Sequence, residues 1–190
     1  MIPFGDPSAS YQAHKSEIDQ VINRVLDSGW YVLGSEVDAF EKEFASFHGK
    51  DFHALGVANG TDAIALCLWG LGLGTGDEII TPSHTAVATV AGIEQADCTP
   101  VFADINPNTR CIDPKSIEER LATNTKAIMP VHIYGQPAEM PRILELAKAH
   151  HLAVVEDCSQ AHGAEINGQK VGTFVNISAF SCYPTKNLGG

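Results

Sequence analysis

Ile177-Ser-Ala-Phe-Ser-Cys-Tyr-Pro-Thr-Lys-Asn-Leu-Gly189 is the stretch on which our interpretation of the 190-residue chain depends. It begins as an apolar run that is typical of a buried strand and that ends at Ser181. A Pro-Thr turn then places Lys186 just beyond the end of that strand. A lysine at such a position can form a Schiff base with a carbonyl compound, although most lysines are simply solvated. The residue alone leaves both interpretations open.

The preceding predicted strand, in Val154-Val-Glu-Asp-Cys-Ser-Gln160, ends in a carboxylate. Asp157 follows an apolar run, and an unpaired carboxylate at such a position is costly. It could pair with the protonated ring nitrogen of a cofactor, or it could cap a following helix. Gln160, three residues further on, could reach an oxygen on the same ring. The sequence around Asp157 does not decide between these roles.

Strands and helices alternate through the middle of the chain. The predicted strands lie near residues 54–58, 78–81, 100–103, 127–132 and 152–156, and the predicted helices near residues 61–71, 85–95 and 138–150, with another beginning at Asp113-Pro114. This alternation predicts an α/β fold in which crossover helices connect buried, mostly parallel strands. Asn167-Gly168 predicts a β-hairpin before the last strand.

Two amphipathic helices are predicted before the first strand. The first runs from Lys15 to Ser28 and ends at Gly29. The second is capped by Ser35 and ends before Gly49. The connector between them contains two aromatic residues, Trp30 and Tyr31. Aromatic residues of this kind belong to a core, to a subunit contact or to the wall of a ligand pocket.

Composition excludes several classes of protein. A net charge of −11 without a basic cluster argues against a nucleic-acid partner. We expect no membrane association and a cytoplasmic location, because the sequence has neither an 18-residue apolar run nor a signal peptide. The five cysteines are odd in number and lack CxxC spacing, so we expect reduced thiols with no disulfide framework and no metal site. They are Cys67, Cys98, Cys111, Cys158 and Cys182.

A phosphate site is predicted at the start of the helix near residue 61. Asn59-Gly-Thr61 follows the first predicted strand and opens that helix, so backbone N–H groups, the Thr61 hydroxyl and the helix dipole could hold a phosphate. An ordinary helix cap is an equally good explanation of these residues. Ser181 could add a hydroxyl to the same phosphate. The chain has no GxGxxG motif, which argues against a dinucleotide fold.

Three histidines, His84, His132 and His162, lie at or beside predicted strand ends. Any of them could line a pocket at the carboxyl edge of the sheet. A loop histidine with its hydrogen bonds satisfied is the simpler interpretation of each, and the three share no metal-ligand spacing.

Six motifs together carry a resemblance to a known family. They are Asn59-Gly-Thr-Asp-Ala-Ile-Ala65, Ile80-Thr-Pro-Ser-His-Thr85, Pro100-Val-Phe-Ala-Asp104, Pro130-Val-His-Ile-Tyr-Gly135, Val155-Glu-Asp-Cys-Ser-Gln-Ala161 and Ser181-Cys-Tyr-Pro-Thr-Lys-Asn187. In this order they resemble the DegT/DnrJ/EryC1/StrS family of pyridoxal-phosphate-dependent sugar aminotransferases. The resemblance implies the type I fold of PLP-dependent transferases, which is the fold of aspartate aminotransferase.

The resemblance also implies roles for individual residues. Lys186 would form the Schiff base with pyridoxal 5'-phosphate, Asp157 would pair with the pyridine nitrogen, and Gln160 would contact the ring oxygen. The residues implied to hold the phosphate are Gly60, Thr61, Asp62 and Ser181. Certain relatives are dehydratases that carry histidine in place of the Schiff-base lysine, so the lysine found here favours aminotransfer.

The activity implied by the resemblance is transfer of an amino group, with L-glutamate as donor, to a nucleotide-linked ketosugar. The motifs Gln160-Ala-His-Gly163 and Pro82-Ser-His-Thr85 are most similar to those of members that act on dTDP-3-keto-6-deoxyhexoses. A 4-keto substrate and a non-catalytic regulator of the same fold are the alternatives. The family further implies amino-sugar biosynthesis, for polysaccharides or natural products, and a homodimer with a shared active site.

The sequence departs from the family pattern in two ways. Ala86 occupies the position where members place an aromatic residue over the cofactor ring, and His84 could stack there instead. Relatives also continue beyond the lysine motif. We therefore expect residues 1–190 to be an N-terminal segment with an incomplete PLP-binding large domain, lacking the C-terminal small domain.

Overall fold

The computed structural model describes residues 6–189. Its helices are α1 (Pro7–Ala13), α2 (Lys15–Ser28), α3 (Ser35–His48), α4 (Gly60–Gly70), α5 (Val87–Gln95), α6 (Pro114–Arg120) and α7 (Met140–Ala149). Its strands are β1 (Glu78–Pro82), β2 (Thr99–Ala103), β3 (Thr125–Ile128), β4 (Ala153–Val154), β5 (Glu156–Asp157), β6 (Glu165–Ile166), β7 (Gln169–Lys170) and β8 (Ser178–Ala179). Among the described residues, no helix is long and apolar enough to cross a bilayer.

The central sheet is parallel and has the strand order β2-β1-β3-β4. A parallel pair of β5 and β8 continues from it, because only Val155 separates β4 from β5. The Val155 N–H donates to Ile128 O at 3.1 Å, and the Asp157 N–H donates to Pro130 O at 3.0 Å. These bonds carry the pairing past the ends of β3 and β4. The predicted α/β class with a mostly parallel sheet is confirmed.

Helices cover both faces of this sheet. Neighbouring residues on a strand point to opposite faces, and Ile79 and Ile80 of β1 accordingly belong to different core clusters. Ile79 packs with the buried residues of α4 and α5, whereas Ile80 packs with those of α6 and α7. The core therefore lies in two layers, one on each side of β1 and β3.

Helices α4 and α5 are held at close range by a glycine. A Cβ on Gly92 would lie 2.7 Å from Cγ2 of Ile64 and 2.8 Å from the carbonyl oxygen of Thr61. No larger residue fits at this position without separating the helices. The contact fixes the first turn of α4 relative to α5, and both helix N-termini border the site described below.

Two local predictions are wrong. Residues 54–58 form no strand, because no strand among residues 6–189 lies beside them: Leu55 is 77% exposed, and the Gly56 N–H donates to Oε1 of Glu41 at 2.6 Å. Ser35 does not cap α3 but is its first residue, and Gly34 occupies the cap position without a side-chain hydrogen bond. The predicted hairpin is confirmed, since β6 and β7 are antiparallel and Asn167 and Gly168 both have positive φ.

The N-terminal helices are amphipathic, as predicted, but none of α1, α2 and α3 contains a buried residue. Apolar side chains of α2, α3 and their connector are exposed. They include Ile22, Leu26, Trp30, Tyr31, Val32, Leu33, Phe40 and Phe47. These helices therefore expose apolar area that helices of a core would bury.

Candidate active site

A large cleft lies at the carboxyl ends of β1, β5 and β8 and at the N-terminus of α4, with a volume of about 1860 Å³. Strands β2 and β3 lie on opposite sides of β1, so the direction in which strands are added to the sheet reverses at β1. Such a reversal is a topological switch point, where ligands bind at the carboxyl ends of the strands in open α/β sheets. The cleft is lined by six of the predicted site residues: Gly60, Thr61, Asp157, Gln160, Ser181 and Lys186.

Asp157 is the buried carboxylate of the cleft and is only 2% exposed. Its Oδ1 accepts a hydrogen bond from the Ser159 N–H at 3.1 Å, and its Oδ2 accepts one from Oγ1 of Thr89 at 2.8 Å. No lysine, arginine or histidine of residues 6–189 forms a salt bridge with it. A buried anion without a cation is normally costly, so this carboxylate is suited to a positively charged partner in the cleft.

Thr89 is a site residue that the sequence did not reveal. It lies in the first turn of α5 and is 1% exposed. Its hydroxyl contacts both Asp157 and the hydroxyl of Thr85, which is 2.7 Å away and lines the cleft. The sequence carries no signal for this contact, because Thr89 and Asp157 are 68 positions apart.

Gln160 has its amide group oriented by the backbone. Its Oε1 accepts a hydrogen bond from the Tyr134 N–H at 2.9 Å. The carbonyl end of the amide is therefore engaged, which leaves the NH₂ end to donate into the cleft. Tyr134 can make this contact because it adopts a positive φ of 57° in the short 3₁₀ turn Ile133–Gly135. A donor at this place suits the contact to a ring oxygen that the sequence predicts.

The predicted phosphate site is formed by the start of α4 and the end of β8. A Cβ on Gly60 would lie 2.9 Å from Cβ of Ser181 and 3.2 Å from its Oγ, so only glycine allows Ser181 to approach the helix N-terminus this closely. The N–H groups of Gly60 and Thr61 have no protein acceptor within the described part of the chain. Two free N–H groups and a hydroxyl therefore meet at the positive end of a helix dipole, where an anion is stabilised.

Asp62 lies outside this group. Its N–H donates to Oδ1 of Asn59 at 2.9 Å, which caps α4. Its carboxylate accepts hydrogen bonds from Nδ2 of Asn59 and from Nε2 of Gln95. These contacts give Asp62 a role in the helix cap, and a direct contact with phosphate stays a prediction.

His84 also lies outside the cleft lining, whereas Ala86 contributes to it. Nε2 of His84 is 3.2 Å from Oη of Tyr134, and the two rings meet edge to face with centroids 5.7 Å apart. Stacking of His84 over a cofactor ring would require the side chain to leave this contact. The stacking role stays a prediction, and the described geometry lends it no support.

Lys186 lies on the wall of the cleft and is half-buried. The backbone N–H of Lys186 donates to the carbonyl oxygen of Tyr183 at 2.7 Å, and this bond closes the Pro-Thr turn that the sequence predicts. No carboxylate within residues 6–189 forms a salt bridge with its amine. An amine without a carboxylate partner is available for covalent chemistry once it loses its proton.

Three buried side chains behind the cleft have the right types to bind a metal ion: His132, Glu156 and Cys158. Nδ1 of His132 accepts the Ala138 N–H at 2.9 Å, so its other ring nitrogen carries the proton and donates to Oε2 of Glu156 at 3.0 Å. Both ring nitrogens are thus engaged in hydrogen bonds. The donor set fits a structural network rather than a metal site.

All five cysteines have free thiols. Burial, followed by the negative charge of Asp157, raises the pKa of Cys67 to about 11, although this residue lines the cleft. Burial also raises the pKa of Cys158 well above its ordinary value. Both groups are thiols at neutral pH and therefore poor nucleophiles.

Comparison with known proteins agrees with this geometry. Residues 12–190 match the model of the DegT/DnrJ/EryC1/StrS aminotransferase family. A dTDP-3-amino-3,6-dideoxy-alpha-D-galactopyranose transaminase from Aneurinibacillus thermoaerophilus is 49% identical over 181 residues, which are 95% of this chain and 50% of that protein.

Two solved structures are similar to the chain throughout. One is a crystal structure of Streptomyces venezuelae DesV in complex with a ketimine intermediate, with a TM-score of 0.94, 45% identity, and coverage of 99% of this chain and 50% of that one. The other is NtdA from Bacillus subtilis with bound cofactor PMP, with a TM-score of 0.86 and 34% identity. The match covers 93% of this chain and 40% of that one.

The chain spans about half the length of these relatives. The match nevertheless includes every motif discussed above, and the solved structures share the fold as well as the sequence. The chain belongs to the DegT/DnrJ/EryC1/StrS aminotransferase family.

Proposed function

We propose that the complete gene product is a pyridoxal-phosphate-dependent aminotransferase that acts on a nucleotide-linked ketosugar. The observation that carries the proposal is the convergence of three unlike groups in one cleft. Within residues 6–189, a buried carboxylate without a cation, an amine without a carboxylate, and a helix N-terminus with free N–H groups all line it. Each group fits a different part of pyridoxal phosphate.

The described residues fit this cofactor at each of its polar positions. The N–H groups of Gly60 and Thr61, with the Ser181 hydroxyl, can bind the phosphate. The carboxylate of Asp157 can accept a proton-bearing pyridine nitrogen, and the NH₂ group of Gln160 can donate to the ring oxygen. When bound, pyridoxal phosphate supplies an aldehyde that carries the amino group and a ring that accepts the electron pair released at the substrate carbon.

Lys186 has two roles in this proposal. Its amine attaches the cofactor covalently in the resting enzyme, which explains why it lies in the cleft without a carboxylate partner. When it is not attached to the cofactor, Nζ of Lys186 would take a proton from the substrate carbon and return it to the cofactor carbon that carries the amino group. Lys186 lies in the turn beyond β8, and the flexible four-carbon stem of its side chain allows this movement within the cleft.

For the amino acceptor we propose a dTDP-3-keto-6-deoxyhexose, with L-glutamate as the amino donor. The name of the Aneurinibacillus relative supports amination at carbon 3 of a dTDP-linked 6-deoxysugar. The cleft, at about 1860 Å³, is larger than the 300–1,000 Å³ that drug-sized ligands typically occupy, so it has room for a nucleotide sugar beside the cofactor.

We further propose that the active protein is a homodimer. The exposed apolar side chains of α2, α3 and their connector support this, because monomers rarely leave such an area uncovered. Light scattering of the complete gene product should give twice the mass of one chain. A monomer that retains full activity would exclude a shared active site.

The cofactor is tested by the absorbance spectrum of the complete gene product with added pyridoxal phosphate. We expect a Schiff-base band that sodium borohydride abolishes and that the Lys186→Ala variant lacks. Lys126→Ala removes an exposed lysine that does not line the cleft and should leave the band unchanged. Absence of the band in the wild-type protein would overturn the proposal and favour a non-catalytic protein of the same fold.

The sugar is tested with prepared dTDP-3-keto- and dTDP-4-keto-6-deoxyhexoses and L-glutamate. We expect amination of the 3-keto compound, with the new C–N bond located by NMR of the product. Preferential amination of the 4-keto compound would retain the aminotransferase class but replace the proposed substrate.

A further inference from the structure

We propose that Thr89 is a positioning residue for the Asp157 carboxylate and that Thr85 directs the Thr89 hydroxyl proton towards it. This inference rests on the proposed function, in which Asp157 pairs with the pyridine nitrogen. Thr89 itself touches neither the substrate nor the reacting atoms in this account. It acts through Asp157 alone.

The direction of the hydrogen bonds follows from counting protons. Oγ1 of Thr89 lies 2.8 Å from Oδ2 of Asp157 and 2.7 Å from Oγ1 of Thr85, and the Thr89 hydroxyl has a single proton. An ionised carboxylate can only accept. The Thr89 proton must therefore point to Asp157, and the Thr85 hydroxyl must donate to Thr89.

This arrangement stabilises the ionised carboxylate in a buried place. One carboxylate oxygen accepts from Thr89 and the other from the Ser159 N–H, and hydrogen bonds to the charged form favour that form. The first turn of α5, on which Thr89 lies, adds the positive end of a helix dipole. Together these donors take the place of the cation that Asp157 lacks among the described residues.

The same contacts fix the orientation of the carboxylate. Thr89 is 1% exposed and its N–H donates to Ala86 O at 3.0 Å, so its side chain is held by the packed helix. With one donor on each oxygen, the carboxyl group of Asp157 cannot rotate freely at the wall of the cleft. A charge held in a fixed orientation binds a ring nitrogen better than one that must first be ordered.

The test compares two ligands of the complete gene product: pyridoxal phosphate and its analogue with a carbon atom in place of the ring nitrogen. Only the first can pair with Asp157, so the ratio of the two dissociation constants reports that pairing. We expect Thr89→Val to lower the preference for pyridoxal phosphate about tenfold, the value of one hydrogen bond to a charged group. Thr89→Ser keeps the hydroxyl and should restore the preference.

Thr81→Val provides a matched control. Thr81 is a fully buried threonine whose Oγ1 donates to Met129 O at 3.0 Å, away from the carboxylate. This variant should lower the melting temperature without changing the ligand preference. If Thr89→Val proves insoluble, Thr85→Val replaces it, since it removes only the upstream donor and should give a smaller loss of preference than tenfold.

Two results would overturn the inference. Thr89→Val that keeps the wild-type preference would show that Asp157 needs no positioning by its neighbour. Equal weakening of both ligands would assign Thr89 a purely structural role. Failure of the proposed function is recognisable in the wild-type protein itself, which would then bind neither ligand or show no preference between them.

Discussion

The two sides of strand β5 present adjacent carboxylates to opposite environments. Glu156 points into the packed interior, where its oxygens accept hydrogen bonds from Nε2 of His132 and from the N–H groups of Gly172 and Phe174. Asp157 lines the cleft and accepts hydrogen bonds from two donors, the Thr89 hydroxyl and the Ser159 N–H. Both residues are almost fully buried, with exposures of 0% and 2%.

The difference between these carboxylates lies in the number of partners rather than in burial. The three donors around Glu156 come from two separate segments, and they tie the loop after β7 and the turn after β3 to the strand. Asp157 keeps lone pairs that the described protein does not use. A saturated buried charge is a structural link, whereas an unsaturated one at a cavity wall is a binding group.

The largest effect that this comparison predicts is on folding. Glu156→Ala leaves three buried donors without an acceptor and should lower the free energy of unfolding by about 3–5 kcal/mol. The loss is measured by urea denaturation of the cofactor-free protein. Glu165→Ala, which removes an exposed carboxylate on β6, should change it by less than about 0.5 kcal/mol. A similar small change for Glu156→Ala would contradict a structural role.

For Asp157 we expect an effect on ligand binding rather than on folding. Asp157→Asn should weaken binding of pyridoxamine phosphate by about tenfold or more, because the ring nitrogen loses a charged partner. The free energy of unfolding of the cofactor-free protein should change much less than in Glu156→Ala, because the hydrogen bonds of Asp157 can be kept. The Ser159 N–H keeps its acceptor in this variant, and the Thr89 hydroxyl can turn to accept from the new amide.

Pyridoxamine phosphate is the suitable ligand for that measurement because it forms no Schiff base with Lys186. Its affinity, followed by calorimetry, therefore reports non-covalent contacts alone. A variant that loses stability but binds pyridoxamine phosphate as tightly as the wild type would reverse the assignment of the two carboxylates.

Asp157 could be recognised from the sequence, but the function of its neighbour could not. A carboxylate after an apolar strand, followed by the lysine motif, is visible as a pattern of residue types. The role of Glu156 depends on backbone donors that come from 16 and 18 positions away, and backbone donors have no sequence signature. The role of Thr89 could not be predicted from the sequence either, because its contact with Asp157 is set by the packing of α5 on the sheet.

The secondary structure could be predicted where apolar residues are buried. The prediction failed where apolar residues are exposed. The alternation of strands and helices from β1 to β4 follows from apolar runs that are largely buried in β1 and β3 and partly buried in β2 and β4. Residues 54–58 have similar apolar content but no strand beside them, and a strand requires a partner. Residue types alone also cannot show that Asp62 turns its carboxylate to Gln95 and away from the cleft.

The histidines repeat the contrast between the two sides of β5. His132, on the packed side, has hydrogen bonds at both ring nitrogens. His162 packs against the rings of Phe44 and Phe180 beneath the cleft wall, and neither of its ring nitrogens has a partner among residues 6–189. Burial lowers the pKa of His162 below its usual 6.5; the nearby side chains of His48 and Lys186 act in the same direction, and Asn187 opposes the shift.

The smallest expected effect follows from this histidine and concerns pH. Between the lowered pKa and 6.5 the unfolded chain binds a proton at this position more readily than the folded protein does. The contribution of neutral His162 to the free energy of unfolding is therefore fully present above pH 6.5 and decreases as the pH falls through that window. His162→Phe should reduce the difference between urea midpoints at pH 7.5 and pH 5.5, since a phenyl ring suits the same aromatic neighbours and binds no proton.

The exposed His150 supplies the control for this measurement, because His150→Gln removes a histidine without removing a buried ring. The difference between the two midpoints should stay at its wild-type value in that variant. If His162→Phe also leaves it unchanged, the folded protein must supply His162 with a proton acceptor, and the contrast with His132 would fail. A reduced difference would show that protonation of His162 limits the stability of the protein in acid.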